Sequence, residues 1–292
     1  MTLREWLAQA EAQLSAGPHS DRARLDAETL LLHLIGKNKA WLMAHANDEF
    51  AGCTAIRYAS MLERRRKGEP IQYITGQTEF YGLPFLITPD VLIPRPETEH
   101  LVEKALELAV AFDHPRIIDI GTGSGAIPIA LARNLPHARI IASDISVSAV
   151  ALAQENAKRN GVAICLLQGD LLAPVAQAGA DPEQFDIIVS NPPYVSAADR
   201  DWLSVEVREY EPALALFAGV DGLEVYRRLI PQAFTALTPG GFIALEIGYG
   251  QQPAIDSLLI DAGFSEIQFT PDLQGIPRVA VARRLEMHRR FY

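Results

Sequence analysis

Asn191-Pro192-Pro193-Tyr194 is the stretch of this 292-residue chain whose residue types most narrowly specify a chemistry. It directly follows Phe185-Asp186-Ile187-Ile188-Val189-Ser190, an apolar run that reads as a buried strand. The four residues therefore stand at the carboxyl end of a central strand, where open α/β sheets bind their ligands. Two consecutive prolines remove two backbone donors and fix φ, which leaves carbonyl oxygens exposed as acceptors. Asn191 adds a side-chain carbonyl and Tyr194 a flat π surface. These parts suit the holding of a planar –NH2 group. The Asn191 oxygen accepts one N–H, the Pro192 carbonyl accepts the other, and Tyr194 packs on the plane, so that the nitrogen faces a methyl sulfonium. Asn191, Pro192 and Tyr194 are thus the catalytic candidates, and with Pro193 they form the candidate substrate-binding set.

A second motif, Asp119-Ile120-Gly121-Thr122-Gly123-Ser124-Gly125-Ala126, follows the apolar pair Ile117-Ile118 and opens a helix. Glycines there let the backbone approach a ligand, and the helix start offers free N–H groups to an anion. Gly121, Gly123 and Ala126 also satisfy the dinucleotide fingerprint, so this loop alone does not choose between cofactors. Asp144 ends the next strand, 23 residues after Gly121, a spacing that suits a carboxylate accepting from ribose hydroxyls. Asp144 or Ser146 also reads as a cap for the following helix. Asp170 is a candidate acceptor for an adenine amino group and Leu171 a candidate for packing on its ring, although a plain loop aspartate reads nearly as well. The cofactor-binding candidates are Gly121, Thr122, Gly123, Ser124, Gly125, Asp144, Asp170, Leu171 and Asn191. Since a hydride-transfer site has no use for N-P-P-Y, that motif turns the choice to S-adenosylmethionine, with S-adenosylhomocysteine as product.

The elements that must position these groups follow from periodicity. From Arg116 onward, strands near 116–120, 138–143, 163–169, 185–190 and 241–247 alternate with helices near 125–134, 147–160 and 222–236. Such alternation predicts a doubly wound, mostly parallel, Rossmann-like α/β sheet, with strands near 265–270 and 276–283 closing it as a hairpin. The first part reads as helices only. Leu3, Trp6, Leu7, Ala10 and Leu14 carry one helix, and Asp21–Ile35, Lys39–His45 and Thr54–Lys67 three more, a small bundle. Between them, Ile71–Thr75 and Glu79–Ile87 carry β-type residues broken by Gly76, Gly82 and Pro84, which predicts a β-hairpin and a proline-bearing connector. A helix from Glu97 to about Ala111 follows. The expected domains are 1–69 (helical), 70–96 (hairpin connector) and 97–292 (methyltransferase).

Composition narrows the class. No apolar run approaches a membrane span; the longest, Leu30–Ile35, is interrupted by His33. The N-terminus reads as an amphipathic helix and not as a signal peptide, so a cytoplasmic location is expected. Cys53 and Cys165 read as buried or idle thiols, and the scattered histidines predict no metal site. A formal net charge of −10 argues against a large duplex-binding face. Two basic clusters, Arg64-Arg65-Arg66-Lys67 and Arg283, Arg284, Arg289 and Arg290, read as a solvated helix end and a frayed terminus.

Taken together, the chain resembles the release-factor glutamine methyltransferases (the PrmC/HemK family). The likeness runs over nearly the whole length. It includes Gly68-Glu69-Pro70-Ile71-Gln72-Tyr73-Ile74-Thr75-Gly76, Phe80-Tyr81-Gly82-Leu83 and Ile93-Pro94-Arg95-Pro96-Glu97-Thr98-Glu99. Tyr210-Glu211-Pro212-Ala213-Leu214-Ala215-Leu216-Phe217-Ala218-Gly219 and Asp221-Gly222-Leu223 extend it. The resemblance implies a substrate, the glutamine of the Gly-Gly-Gln motif in class 1 peptide chain release factors. It also implies that the helical leader binds that partner away from the reacting residue. A monomer is expected, with no membrane and no direct nucleic-acid substrate. The rival readings are an adenine or guanine amino-methyltransferase acting on nucleic acid, an NAD-dependent dehydrogenase, and a non-catalytic adaptor. The first lacks a basic target-recognition domain, the second leaves N-P-P-Y unexplained, and the third leaves intact motifs without a use.

Overall fold

Leu3, Leu7, Ala10 and Leu14 recur at helical spacing and form the buried stripe of α1 (Leu3–Leu14). A capping box starts it: the Thr2 hydroxyl accepts from the Glu5 N–H and the Glu5 carboxylate from the Thr2 N–H. A 3-10 turn, Ser20–Arg22, occupies the first residues of the helix expected from Asp21, so α2 (Ala23–Ile35) begins just after it and ends at Gly36 with φ 63°. Then come α3 (Lys39–Ala44) and α4 (Cys53–Arg66). Leu30, Leu31, Tyr58 and Leu62 fill the core between these helices, and the Tyr58 hydroxyl donates to the Ala27 carbonyl at 2.9 Å.

This computed structural model describes residues 1–50, 52–177 and 184–285. The chain divides into two compact units, Met1–Gln77 with Trp202–Glu211, and Thr78–Asp201 with Pro212–Tyr292. Two expectations for the first unit are corrected. Ile71–Thr75 is not a strand but a short helix, α5 (Ile71–Thr75), started at Pro70 and closed by Gly76 at φ 72°. Burial of Ile74 against the bundle core outweighs the β propensity of these residues. The basic cluster is a solvated helix end at Arg64, Arg66 and Lys67, which are exposed, but not at Arg65. Arg65 is 2% exposed, donates to Asp26 at 2.6 Å and pairs with Glu206, while Arg64 pairs with Glu69 and Arg66 with Glu63. Both cysteines are free and exposed, which of the two expected readings removes the buried one and leaves the idle one.

The hairpin is formed by β1 (Gln77–Phe80) and β2 (Leu83–Leu86). After α6 (Thr98–Ala109) come β3 (Arg116–Ile120), α7 (Ala126–Asn134), β4 (Arg139–Asp144), α8 (Val147–Arg159), β5 (Cys165–Gln168), α9 (Ala173–Gln177) and β6 (Phe185–Ser190). A 3-10 turn at Ala197–Trp202, α10 (Val205–Tyr210), α11 (Ala213–Leu216), α12 (Glu224–Ala236), β7 (Leu237–Glu246), α13 (Gln252–Asp261), β8 (Ser265–Pro271) and β9 (Pro277–Arg283) complete the described order. Seven strands form one sheet in the order β5-β4-β3-β6-β7-β9-β8, parallel except for β9 against both neighbours. The strand order reverses between β3 and β6, which is a topological switch point. Ile117, Ile118, Ile187, Ile188 and Val189 are fully buried there, each contributing about 1.5–3 kcal/mol of burial. Near the C-terminus, Arg283 pairs with Glu266 and Arg284 donates to the Thr235 carbonyl, so neither is frayed; Arg289 and Arg290 lie outside the described residues. No described helix is long and apolar enough to cross a membrane.

Candidate active site

Register brings the candidate residues together. Ile120 of β3 pairs with Ser143 of β4 on one side and with Ser190 of β6 on the other. The residues that follow, Gly121, Asp144 and Asn191, therefore leave the sheet side by side. Short bonds hold the three ends level: the Ser190 hydroxyl donates to the Ile120 carbonyl at 2.6 Å, and the Gly121 and Thr122 N–H groups to the Ser143 carbonyl at 2.8 and 3.0 Å. Above them lies a cavity of about 420 Å³, a size suited to a small organic ligand.

The glycine loop shapes one wall. Gly121 and Gly123 have φ of 75° and 54°, and a Cβ at either would meet no protein atom within 4 Å, so the loop's openness there faces free space. Gly125 differs: a Cβ there would lie 3.0 Å from Ala153 Cβ and from Ile129 Cδ1, so its glycine serves packing against α8. Asn156 ties the loop to the hairpin, accepting from the Leu86 N–H at 2.7 Å and donating to the Ser124 carbonyl at 2.9 Å. Asp144 accepts from the Gly123 N–H at 2.8 Å and from the Ser146 N–H at 2.9 Å, and Ser146 caps α8 through the Ala149 N–H. A carboxylate has about four lone-pair sites, so each Asp144 oxygen retains acceptor capacity toward the cavity.

Gly169, Asp170 and Leu171 also line the cavity. A Cβ at Gly169 would sit 2.3 Å from Pro174 Cγ, so only glycine fits. Leu171 adopts φ 51°, an uncommon conformation for a side-chain-bearing residue, and its carbonyl is held by the Ser143 hydroxyl at 3.1 Å. Asp170 is ion-paired with Arg228 at the cavity rim.

Asn191, Pro192 and Pro193 line the cavity, whereas Tyr194 is turned away from it toward the sheet. Behind Asn191 lies a polar chain. The Asn191 Nδ2 donates to Thr98 Oγ1 at 3.1 Å, and Thr98 Oγ1 donates to Glu246 Oε2 at 2.6 Å. The Tyr194 hydroxyl approaches Glu246 Oε1 at 3.4 Å, and the Tyr226 hydroxyl donates to the Glu246 carbonyl at 2.6 Å. Burial pushes the Glu246 carboxyl up to about 7, against the pull of Thr98, Tyr194 and Arg278. Burial likewise raises the Tyr194 hydroxyl. Neither Glu246 nor Thr98 was singled out as functional from sequence. The connector and a later stretch also supply unassigned walls, Val91, Leu92, Pro94, Pro212 and Leu214. Their only sequence signal is that Pro94, Thr98, Pro212 and Leu214 fall in the stretches that carry the family likeness.

The residues present fit a cofactor with a cationic amino-acid tail and a ribose. At the base of the glycine loop, both carboxyl oxygens of Asp119 and the Thr122 hydroxyl are buried without a well-formed hydrogen bond. Burial raises the Asp119 carboxyl to about 7, with Thr122 pulling it down and Asp144 pushing it further up. Of these groups Thr122 lines the cavity, and an orphaned hydroxyl beside an open glycine loop is what a polar ligand would satisfy. Among the described residues, no group of three or more His, Cys, Asp or Glu could hold a metal ion.

Comparison with known proteins agrees with this geometry. The family model described as the PrmC N-terminal domain matches residues 5–76, and that of the methyltransferase small domain matches residues 98–206. A release factor glutamine methyltransferase of Moorella thermoacetica is 44% identical over 98% of this chain and 100% of its own length. Those of Koribacter versatilis and Salmonella typhimurium are 40% and 39% identical, each over 97% of this chain and 99% of its own. Among solved structures, the hMettl16 catalytic domain in complex with the MAT2A 3′UTR hairpin 6 aligns with a TM-score of 0.55 at 17% identity, covering 80% of this chain and 82% of that one. A T. thermophilus 16S rRNA N2 methyltransferase, RsmC, in complex with AdoMet and guanosine, gives 0.51 at 20% identity, covering 71% and 49%. These two likenesses speak to the fold alone.

Proposed function

The chain belongs to the release factor glutamine methyltransferases, and from that premise we propose that it transfers the methyl group of S-adenosylmethionine to the side-chain amide nitrogen of the glutamine in the Gly-Gly-Gln motif of class 1 release factors. One observation carries the reading at the site: Asn191 Nδ2 is engaged by Thr98, so the side-chain oxygen is the atom left to face the cavity. That oxygen and the Pro192 carbonyl are two acceptors for the two N–H bonds of a planar amide. Asp144 and the glycine loop hold the cofactor's ribose and amino-acid tail, Asp170 and Leu171 its adenine, and the helical unit docks the release factor.

S-adenosylmethionine supplies an electrophilic methyl carbon with a sulfur leaving group. An amide nitrogen is a poor nucleophile because its lone pair is delocalised into its carbonyl. The protein's contribution is therefore orientation, exclusion of water, and acceptors that stabilise positive charge developing on nitrogen. Glu246 is buried behind Thr98 and does not line the cavity, so it does not take the proton; that proton leaves to water or a nearby carbonyl. The test is incubation of the purified protein with labelled S-adenosylmethionine and a class 1 release factor, beside the same factor with the Gly-Gly-Gln glutamine changed to alanine. Label is expected on the first only. Methylation of RNA or DNA with none on the release factor would replace this substrate by a nucleobase amine.

A further inference from the structure

We infer that Glu246 is a positioning residue that works through Thr98 to lock the Asn191 amide with its oxygen toward the cavity. This rests on the reading of Asn191 as the acceptor for the substrate –NH2.

An asparagine amide has two faces of opposite polarity, and a half-turn about its terminal torsion exchanges donor for acceptor. In the wrong orientation Asn191 would present an –NH2 to an –NH2, and the site would repel its substrate. Nothing in N-P-P-Y itself prevents that half-turn. The bond partner behind it does. An ionised carboxylate has no proton to give, so Glu246 obliges Thr98 Oγ1 to donate to it across 2.6 Å. The Thr98 oxygen is then left with lone pairs only, and it accepts from Asn191 Nδ2 at 3.1 Å. The chain of donors thus runs one way, Asn191 to Thr98 to Glu246, and it ends on an atom that can only accept. The second carboxylate oxygen faces the Tyr194 hydroxyl at 3.4 Å, which adds a further donor from the same motif.

The groups around Glu246 come from several elements. Thr98 belongs to α6, Glu97 precedes it, Tyr194 follows β6, Tyr226 lies on α12 and Arg278 on β9. Arg278 favours the ionised form, while Glu97 and burial oppose it, and the balance leaves the carboxyl at about 7. Protonation reverses the logic. A protonated Glu246 can donate to Thr98 Oγ1, which frees the threonine proton to point at Asn191 and removes the preference for the productive amide orientation. Methyl transfer should therefore rise as pH passes upward through about 7.

The experiment compares wild type with Thr98→Val, Thr98→Ser, Glu246→Gln and Asn191→Ala, each assayed for kcat and KM on release factor between pH 5.5 and 9 (assay limits of roughly two units either side of the expected midpoint). Affinity for S-adenosylmethionine is measured by calorimetry on the same samples and serves as the check on folding. Thr98→Val and Glu246→Gln should lose on the order of ten- to a hundredfold in kcat/KM. Both should lose the acid limb of the pH profile while retaining cofactor affinity, and Thr98→Ser should restore rate and limb together. Wild-type kcat/KM in Thr98→Val and Glu246→Gln, or an acid limb that survives in both, overturns the proposal. Should Asn191→Ala itself methylate normally, the underlying reading of Asn191 fails; if Asn191→Ala is dead while the other two are normal, only the positioning role fails.

Discussion

In the proposed reaction two side chains at the strand ends divide the labour of the site. Asn191 stands over the cavity with its nitrogen already engaged, whereas Asp144 braces the glycine loop through the Gly123 N–H. Asn191→Ala should therefore reduce kcat by on the order of a hundredfold or more, as loss of one oriented polar contact at a reacting centre does. Its S-adenosylmethionine affinity should stay near that of wild type. Asp144→Ala should show the reverse, weakening cofactor binding by on the order of tenfold or more before turnover at saturation suffers, because the charged group proposed to hold the ribose, which also braces the loop, is lost. Equilibrium titration beside single-turnover rates separates the two. A large loss of cofactor affinity in Asn191→Ala would sink the assignment of Asn191 to the substrate.

At the scale of elements, local pattern was informative where one element carries its own signal. The alternating apolar runs placed the strands of the parallel sheet within a few residues, and N-P-P-Y directly follows β6 as its sequence context predicts. Pattern failed where a partner distant in sequence decides. Ile71–Thr75 has β-type residues, yet the buried seat for Ile74 makes it a helix. Glu246 sits in an apolar strand and Thr98 at a helix start, 148 residues apart, and each looks unremarkable until the sheet brings them together. The loop before α12 is a comparable case. Gly222, at φ 74°, packs so closely on the exit of N-P-P-Y that a Cβ would lie 2.3 Å from the Tyr194 carbonyl oxygen. Gln251 bonds that same carbonyl at 3.0 Å and the Gly222 carbonyl at 3.2 Å. Gly222→Ala should thus push Tyr194 and, through it, Asn191 out of place, costing about 1–3 kcal/mol of stability together with much of the turnover. Thermal melting and kcat are the measurements; a variant as stable and as active as wild type would show that this contact constrains nothing.

Across the whole molecule, buried acids at the site and paired acids elsewhere set opposite slopes of stability against pH. Glu28 is held below the usual carboxylate range because, although burial works against its charge, Arg24 and Lys39 outweigh it. Asp272 is lowered by the Ile276 N–H and by Arg278. Such groups contribute stability above their unfolded values, 4.5 and 3.8, and lose it as pH falls through the folded ones. Asp119 and Glu246 act the other way. Burial raises both from 3.8 and 4.5 to about 7, so the folded state holds protons that the unfolded chain has released. Their contribution is complete below the unfolded values and is lost as pH rises through about 7, a loss on the order of a few kcal/mol for each carboxyl. The cofactor-free protein should accordingly melt highest on the acid side of neutrality and lose several degrees by about pH 8. Asp119→Asn combined with Glu246→Gln removes both titrations, and its melting temperature should be nearly flat from pH 6 to pH 8, a range set by those raised values. An undiminished alkaline decline in the double variant would assign the slope to other groups. The sign of this slope also bears on function: the ionised Glu246 that orients Asn191 is the form that the fold tolerates least, so the site is kept at the expense of stability at the pH where it works best.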